Sequence, residues 1–208
     1  MDKPLELPAN NNVNAFLDRP ISKVSKFYIS GEIKAPSEYI PWFETIRNSS
    51  ETDVIVLHIN SYGGDLFTAI QFMRVLKETK AQIVASVEGA CMSAATIIFL
   101  SAKNWEVSHH SMFMFHNYSS GSFGKGGEMY DNIVHERAWS RKLWKDVYSG
   151  FLSDKEIEAI LQNKDIWMSG EEVTKRLNSK VTLDKKKEVK KTPPAKKKAP
   201  RKKKPVSR

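Results

Sequence analysis

Four segments of the chain carry residue types that can do chemistry. In Asn60-Ser61-Tyr62-Gly63-Gly64-Asp65, a β-branched run meets Gly-Gly and then a helix-capping aspartate. Such a junction exposes backbone N–H groups at the carboxyl end of a strand, where α/β proteins place ligands and where amides stabilise a developing oxyanion. The same residues also read as a plain tight turn. In Glu88-Gly89-Ala90-Cys91-Met92-Ser93-Ala94-Ala95, a hydroxyl stands among small residues where an apolar helix begins. Small neighbours admit a substrate backbone, and a helix N-terminus favours negative charge near Ser93. The bland alternative is a serine that only caps the helix. Cys91 is a rival nucleophile, although its position suits a small packed hydrophobe. His116 ends the run Met112–Phe115, where a histidine is ordinarily a satisfied half-buried residue. Asp165, just ahead of Ile166-Trp167-Met168-Ser169, is by itself an ordinary loop carboxylate. None of the four is specific alone.

The elements that must position them follow from periodicity. Phe27–Ile33, Asp53–Asn60, Ile83–Val87 and Met112–Phe115 read as strands, the second buried and the third stopped by Gly89. A helix is predicted over Ile40–Arg47, with Pro41 tolerable in its first turn. Asp65 suits the N-cap of another, whose Leu66, Ala69, Ile70, Met73 and Leu76 recur at helical spacing. Ala94–Ala102 has the composition of a buried helix, and a long one follows the glycine-rich stretch Ser119–Gly127, from about Met129 to Ser149. Two short helices are announced by capping boxes, Ser153-x-x-Glu156 and Ser169-x-x-Glu172. Strands alternating with helices predict an α/β fold with parallel strands joined by crossover helices.

Of 33 basic and 24 acidic residues, 13 and one respectively lie in residues 185–208. The formal charge of +9 is therefore a +12 tail on a body of −3, with 20 basic and 23 acidic residues. The Lys/Pro/Ala-rich tail has too little apolar surface to order and is expected to be disordered. It can bind nucleic acid or another polyanion non-specifically, or merely solubilise the chain. Residues 1–25 read as a flexible arm. One cysteine excludes an intramolecular disulfide. No run approaches the ~18 apolar residues of a membrane span, and the N-terminus lacks the apolar core of a signal peptide. The simplest reading is a cytoplasmic protein without cofactor.

Taken in order, the segments carry a resemblance. Over about residues 26–184 the chain resembles the Clp protease proteolytic subunit, a self-compartmentalising serine peptidase. Ser30-Gly31 stands in the first strand where the family has Thr-Gly or Ser-Gly, and Asn60-Ser61-Tyr62-Gly63-Gly64 is similar to its Asn-Ser-Pro-Gly-Gly turn. Gly89–Ser93 resembles its nucleophile segment and Met112–His116 the strand ending in the catalytic His. Gly121–Gly127 with Tyr130–Arg137 resembles the handle, and Asp165–Glu172 the segment opening with the catalytic Asp. The resemblance implies a Clp/crotonase-type spiral of ββα units with a protruding handle, strand plus long helix, at about residues 117–150. It implies Ser93 as nucleophile, His116 as base and then acid, Asp165 as the group orienting the imidazole, and the Gly64 and Ala94 amides as oxyanion hole. It further implies protein or peptide substrates, a homo-oligomeric ring or two stacked rings, and an AAA+ unfoldase as partner. Against that last partner, the N-terminal arm does not match the family's axial loop. Tyr62 replaces a Pro, and Met92-Ser93-Ala94-Ala95 is most similar to Clp-like peptidases of bacteriophages, some of which resemble capsid-maturation enzymes. That context implies the cytoplasm of a bacterial or phage-infected cell.

Other classes stay in view. One is a catalytically idle ring or scaffold tethered to nucleic acid by residues 185–208. Another is a Ser–Lys peptidase with Lys103 or Lys125 as base, and a crotonase-type acyl-CoA enzyme ranks last for want of a signature. His109-His110 reads as a surface turn, since no third metal ligand stands at a persuasive spacing.

Overall fold

Alternating burial organises the sheet. The computed structural model describes residues 22–179, so the basic tail and all but the end of the N-terminal arm lie outside the described residues. Strands β1 (Val24–Ile33), β2 (Val54–Gly64) and β3 (Gln82–Met92) run parallel, with Ile29 opposite Ile59 and Ile59 opposite Val87. β1 takes in residues 24 and 25, which the sequence reading assigned to the arm. Ile55, Leu57 and Ile59 are fully buried, whereas Val54, Val56 and His58 are only partly so. The expected burial of the second strand is met on one face, where helices α1 (Ile40–Arg47), α2 (Leu66–Glu78) and α3 (Ala94–Ser101) pack. Asp65 caps α2 as expected, its Oδ1 accepting from Thr68 N at 2.6 Å. The buried stripe of that helix is Thr68, Ala69, Phe72, Val75 and Leu76.

Gly89 does not stop β3. The strand continues to Met92 through a bulge, where the register passes from Ile59↔Val87 to Ser61↔Cys91. Asn60 fills the bulge: its Oδ1 accepts from Ala90 N at 3.0 Å. A Cβ on residue 89 would lie 2.7 Å from that oxygen, so the position needs glycine for space. The extended β3 has two partners. β4 (Asn104–Val107) pairs with Val84–Val87, and β5 (Met112–Phe115) pairs with Ala90–Met92, both parallel. This division brings the end of β5 level with the end of β3. β6 (Ile166–Ser169) then adds to β5 antiparallel, an exception to the expected all-parallel sheet, with Ile166 opposite Phe115.

The long helix α4 spans Gly126–Tyr148, starting three residues earlier than expected. Its buried residues, Ser140, Trp144 and Tyr148, all lie in its second half, while Tyr130, Ile133 and Val134 are exposed. The helix half of the handle is thus present. The strand half is not formed, since residues 117–125 pair with no strand among the described residues. α5 (Asp154–Leu161) begins with the complete Ser153–Glu156 capping box. A last helical segment, α6 (170–179), begins with half of one: Ser169 Oγ accepts from Glu172 N at 3.2 Å. The Glu172 carboxylate turns instead to Arg176, at 2.8 Å.

Arg176 also grips Glu156 through both carboxylate oxygens, at 2.8 and 3.0 Å, and so ties α6 to α5 on either side of β6. These bonds, with those from Ser153 and against a smaller opposing effect of burial, hold Glu156 down to about 2, from an ordinary 4.5. A carboxyl depressed in the folded state adds stability that is full above its unfolded pKa and is lost as pH falls through the folded one. Arg176→Met should therefore lower unfolding free energy by about 1 kcal/mol at neutral pH. The two proteins should converge between pH 4.5 and about 2. Urea unfolding midpoints across that range check it, and a gap undiminished at the acid end contradicts it.

Candidate active site

Ser93 joins β3 to α3 with φ 54° and ψ −128°, one of two non-glycine residues at positive φ among the described residues. A strained strand-to-helix elbow of this kind costs on the order of 1–3 kcal/mol and pushes its side chain out of the turn. The elbow is held from both sides. Ser93 N donates to Met114 O on β5 at 2.8 Å, and Ser93 O accepts from Thr96 N at 2.9 Å and from Thr96 Oγ1 at 2.7 Å. Thr96 is fully buried and meets the hydroxyl of buried Tyr148 on α4 at 2.9 Å. Gly63, at φ +101°, presses on the elbow: a Cβ there would sit 2.6 Å from Ser93 Cβ and 2.9 Å from Met92 O. Ser93 occupies the N-cap position of α3 yet makes no side-chain cap bond. Its hydroxyl faces His116 instead, with Oγ and Nε2 2.6 Å apart.

His116 reaches this position because β5 pairs with the bulged end of β3, Met92 lying opposite Met114. Gly64 and Ala94 line the same cleft, a space of about 680 Å³ bounded by α2, α3, α4 and residues 116–120. Leu66, Phe67 and Trp139 give it an apolar wall, with the Phe67 and Trp139 rings stacked at 5.8 Å. Ser120 Oγ donates to Glu136 on α4 at 3.0 Å and pins the glycine-rich segment across one side.

Asp165 stands where antiparallel pairing of β5 and β6 leads, one residue before Ile166, as His116 stands one residue after Phe115. Their backbones are thus neighbours across the two strand ends. Asp165 is exposed, however, and no hydrogen bond or ion pair joins it to His116 among the described residues. The structure thus brings Ser93, His116, Gly64 and Ala94 to one cleft and leaves the Asp165 carboxylate disengaged from His116.

The rival readings fare differently. Cys91 is fully buried and burial pushes its thiol well up, so it packs as a hydrophobe. Lys103 lies two residues beyond the far end of α3, a helix about 12 Å long that starts after Ser93, and Lys125 pairs with Glu128 at 3.6 Å. His109 and His110 stack edge to face in a turn, and no cluster of three metal-ligating side chains occurs among the described residues. Sequence reasoning missed Asn60, Thr96, Asn117, Trp144 and Tyr148. Each acts through a partner 27 or more positions away, and Thr96 and Asn117 also through a near neighbour whose role was not visible in advance. The one local signal was the spacing of Trp144 and Tyr148, which places both on one face of α4.

No helix among the described residues is long and apolar enough to cross a membrane. No curated protein matches the chain. A family model described as Clp protease matches residues 29–176, a stretch that runs from β1 through the Ser93 elbow and His116 into α6. A match over more than two thirds of the sequence, on a sheet that sets a strained serine against a histidine, means that the chain belongs to the Clp protease family.

Proposed function

We propose that this family member, a peptidase by its family, is a serine endopeptidase that cleaves proteins or peptides through an acyl-enzyme. The observation that carries the reading is the 2.6 Å approach of His116 Nε2 to the hydroxyl of a serine on a strained elbow. Neutral imidazole with its proton on Nδ1 presents a lone pair at Nε2, which takes the Ser93 proton as Oγ attacks the scissile carbonyl carbon. The amides of Gly64 and Ala94 receive the oxyanion, worth about 3–4 kcal/mol for one such donor. The C–N bond then breaks and the amine leaves with the proton returned from Nε2. Water, deprotonated by the same nitrogen, hydrolyses the ester and restores Ser93. In this scheme Asp165 accepts from Nδ1–H once substrate or assembly brings the β5 and β6 ends together. The apolar wall of Leu66, Phe67 and Trp139 supports a preference for an apolar side chain beside the cleaved bond.

The exposed apolar residues of α4, Tyr130, Ile133 and Val134, support assembly into a ring or two stacked rings. Cytoplasmic location, service by an AAA+ unfoldase and polyanion contact through residues 185–208 complete the proposal as sequence-level readings. One observation favours the idle-scaffold alternative, namely the disengaged Asp165.

Two measurements separate them. A fluorophosphonate probe should label the wild type, and Ser93→Ala should abolish both labelling and peptide cleavage; cleavage that survives in this variant sinks the assignment. Asp165→Asn should lower kcat by about 10²- to 10⁴-fold if the carboxylate fixes the imidazole tautomer. A change below threefold would show that Asp165 takes no part.

A further inference from the structure

The residue after the base uses its whole side chain. Asn117 Oδ1 accepts from Trp144 Nε1 at 2.8 Å and from Tyr118 N at 3.0 Å, while Nδ2 donates to Asn163 Oδ1 at 3.0 Å. Its two distant partners sit on the elements that matter to the site. Asn163 lies in the α5–β6 connection two residues before Asp165, at φ 61°, a left-handed conformation that asparagine tolerates. Its N–H donates to Ile160 O at 2.8 Å, so the contact is anchored to the end of α5. Trp144 is 3% exposed and stacks on Tyr148 at 5.4 Å and 12°. The Tyr148 hydroxyl meets Thr96 Oγ1, whose own hydrogen goes to Ser93 O. Adjacent turns of α4 therefore brace the nucleophile through Tyr148 and Thr96, and the exit of β5 through Trp144 and Asn117.

We propose that Asn117 is a positioning residue for His116, clamping the end of β5 both to Trp144 and to the Asp165 loop. This rests on the reading of Ser93 and His116 given above. An amide suits the task because one group supplies an acceptor for an indole N–H and a donor for a carbonyl oxygen. Aspartate keeps the first bond and loses the second; alanine loses both. A shift of an ångström in His116 is enough to cost about 10²-fold in rate. The clamp also makes the last turns of α4 a route by which forces on that helix reach the base.

The test compares wild type with Asn117→Ala, Asn117→Asp and Trp144→Phe. It reads kcat and KM on a fluorogenic peptide, the His116 ring ¹⁵N resonances against pH (assigned with His116→Gln), and the unfolding midpoint. Asn117→Ala should lower kcat about 10- to 100-fold with KM within threefold, and should move the His116 titration. Trp144→Phe should act in the same direction, and the double variant should be no slower than Asn117→Ala. Asn117→Asp should fall between. A folded Asn117→Ala with unchanged kcat and unchanged His116 resonances overturns the proposal. If that variant fails to fold, Trp144→Phe decides on the same two readouts, and no change there overturns it. If the wild type resists the fluorophosphonate probe, the serine-peptidase reading falls by itself. The His116 resonances still decide the clamp in that case, a shift supporting it and none refuting it.

Discussion

A serine backbone at positive φ is the constraint on which the rest of this fold turns. No L-residue rests there unaided, so the conformation persists only while its surroundings over-determine it. Met114 takes the Ser93 N–H, Thr96 takes its carbonyl, and Gly63 leaves room where any side chain would collide. Each of these contacts makes a demand further out. Met114 is in place because β3 outruns its bulge to pair with β5, which requires Asn60 to fill the gap at Gly89. Thr96 is oriented by Tyr148, which requires α4 to dock its second half against α3. The apolar core of α3, buried from Ala94 to Leu100, supplies the stiffness under the elbow.

What could be read from the sequence is what neighbouring residues decide among themselves. Asp65 three residues before Thr68, and Ser153 three before Glu156, state their own hydrogen bonds, and both form. The same reasoning met its limit at Ser169, where Glu172 abandons the capping box for Arg176, a choice shared with Glu156 on another helix. Gly89 misled for a related reason. A lone glycine looks like the end of a strand, and only Asn60, a residue of the adjacent strand, turns it into a bulge. Ser93, His116, Gly64 and Ala94 were singled out through residue type and family resemblance, and they line one cleft. The dihedral of Ser93 was not legible, since nothing local favours it. The antiparallel sense of β6 and the one-sided burial of β2 likewise depend on the whole assembly of layers.

Charge and chemistry are segregated along this chain. Every residue of the candidate site lies between Gly64 and Asp165, in a body whose formal charge is −3, whereas the +12 of residues 185–208 sets the sign for the molecule. A pI of about 9.5 thus says nothing of the cleft. The cleft itself is walled by aromatic and aliphatic side chains, with Glu136 as the acid that anchors its rim.

The supports of the elbow also impose an order in time. Ser93 depends on Met114, His116 and Tyr148, partners that follow it by up to 55 positions and leave the ribosome after it. A nascent chain that ends at α3 holds a serine with neither its histidine partner nor the contacts that keep φ positive, and relaxes to an ordinary conformation. The Ser93–His116 approach and the strained elbow therefore form only after α4 has been synthesised and docked. The strained elbow is thus a product of the completed fold, absent while the chain's own segments are still unfolded.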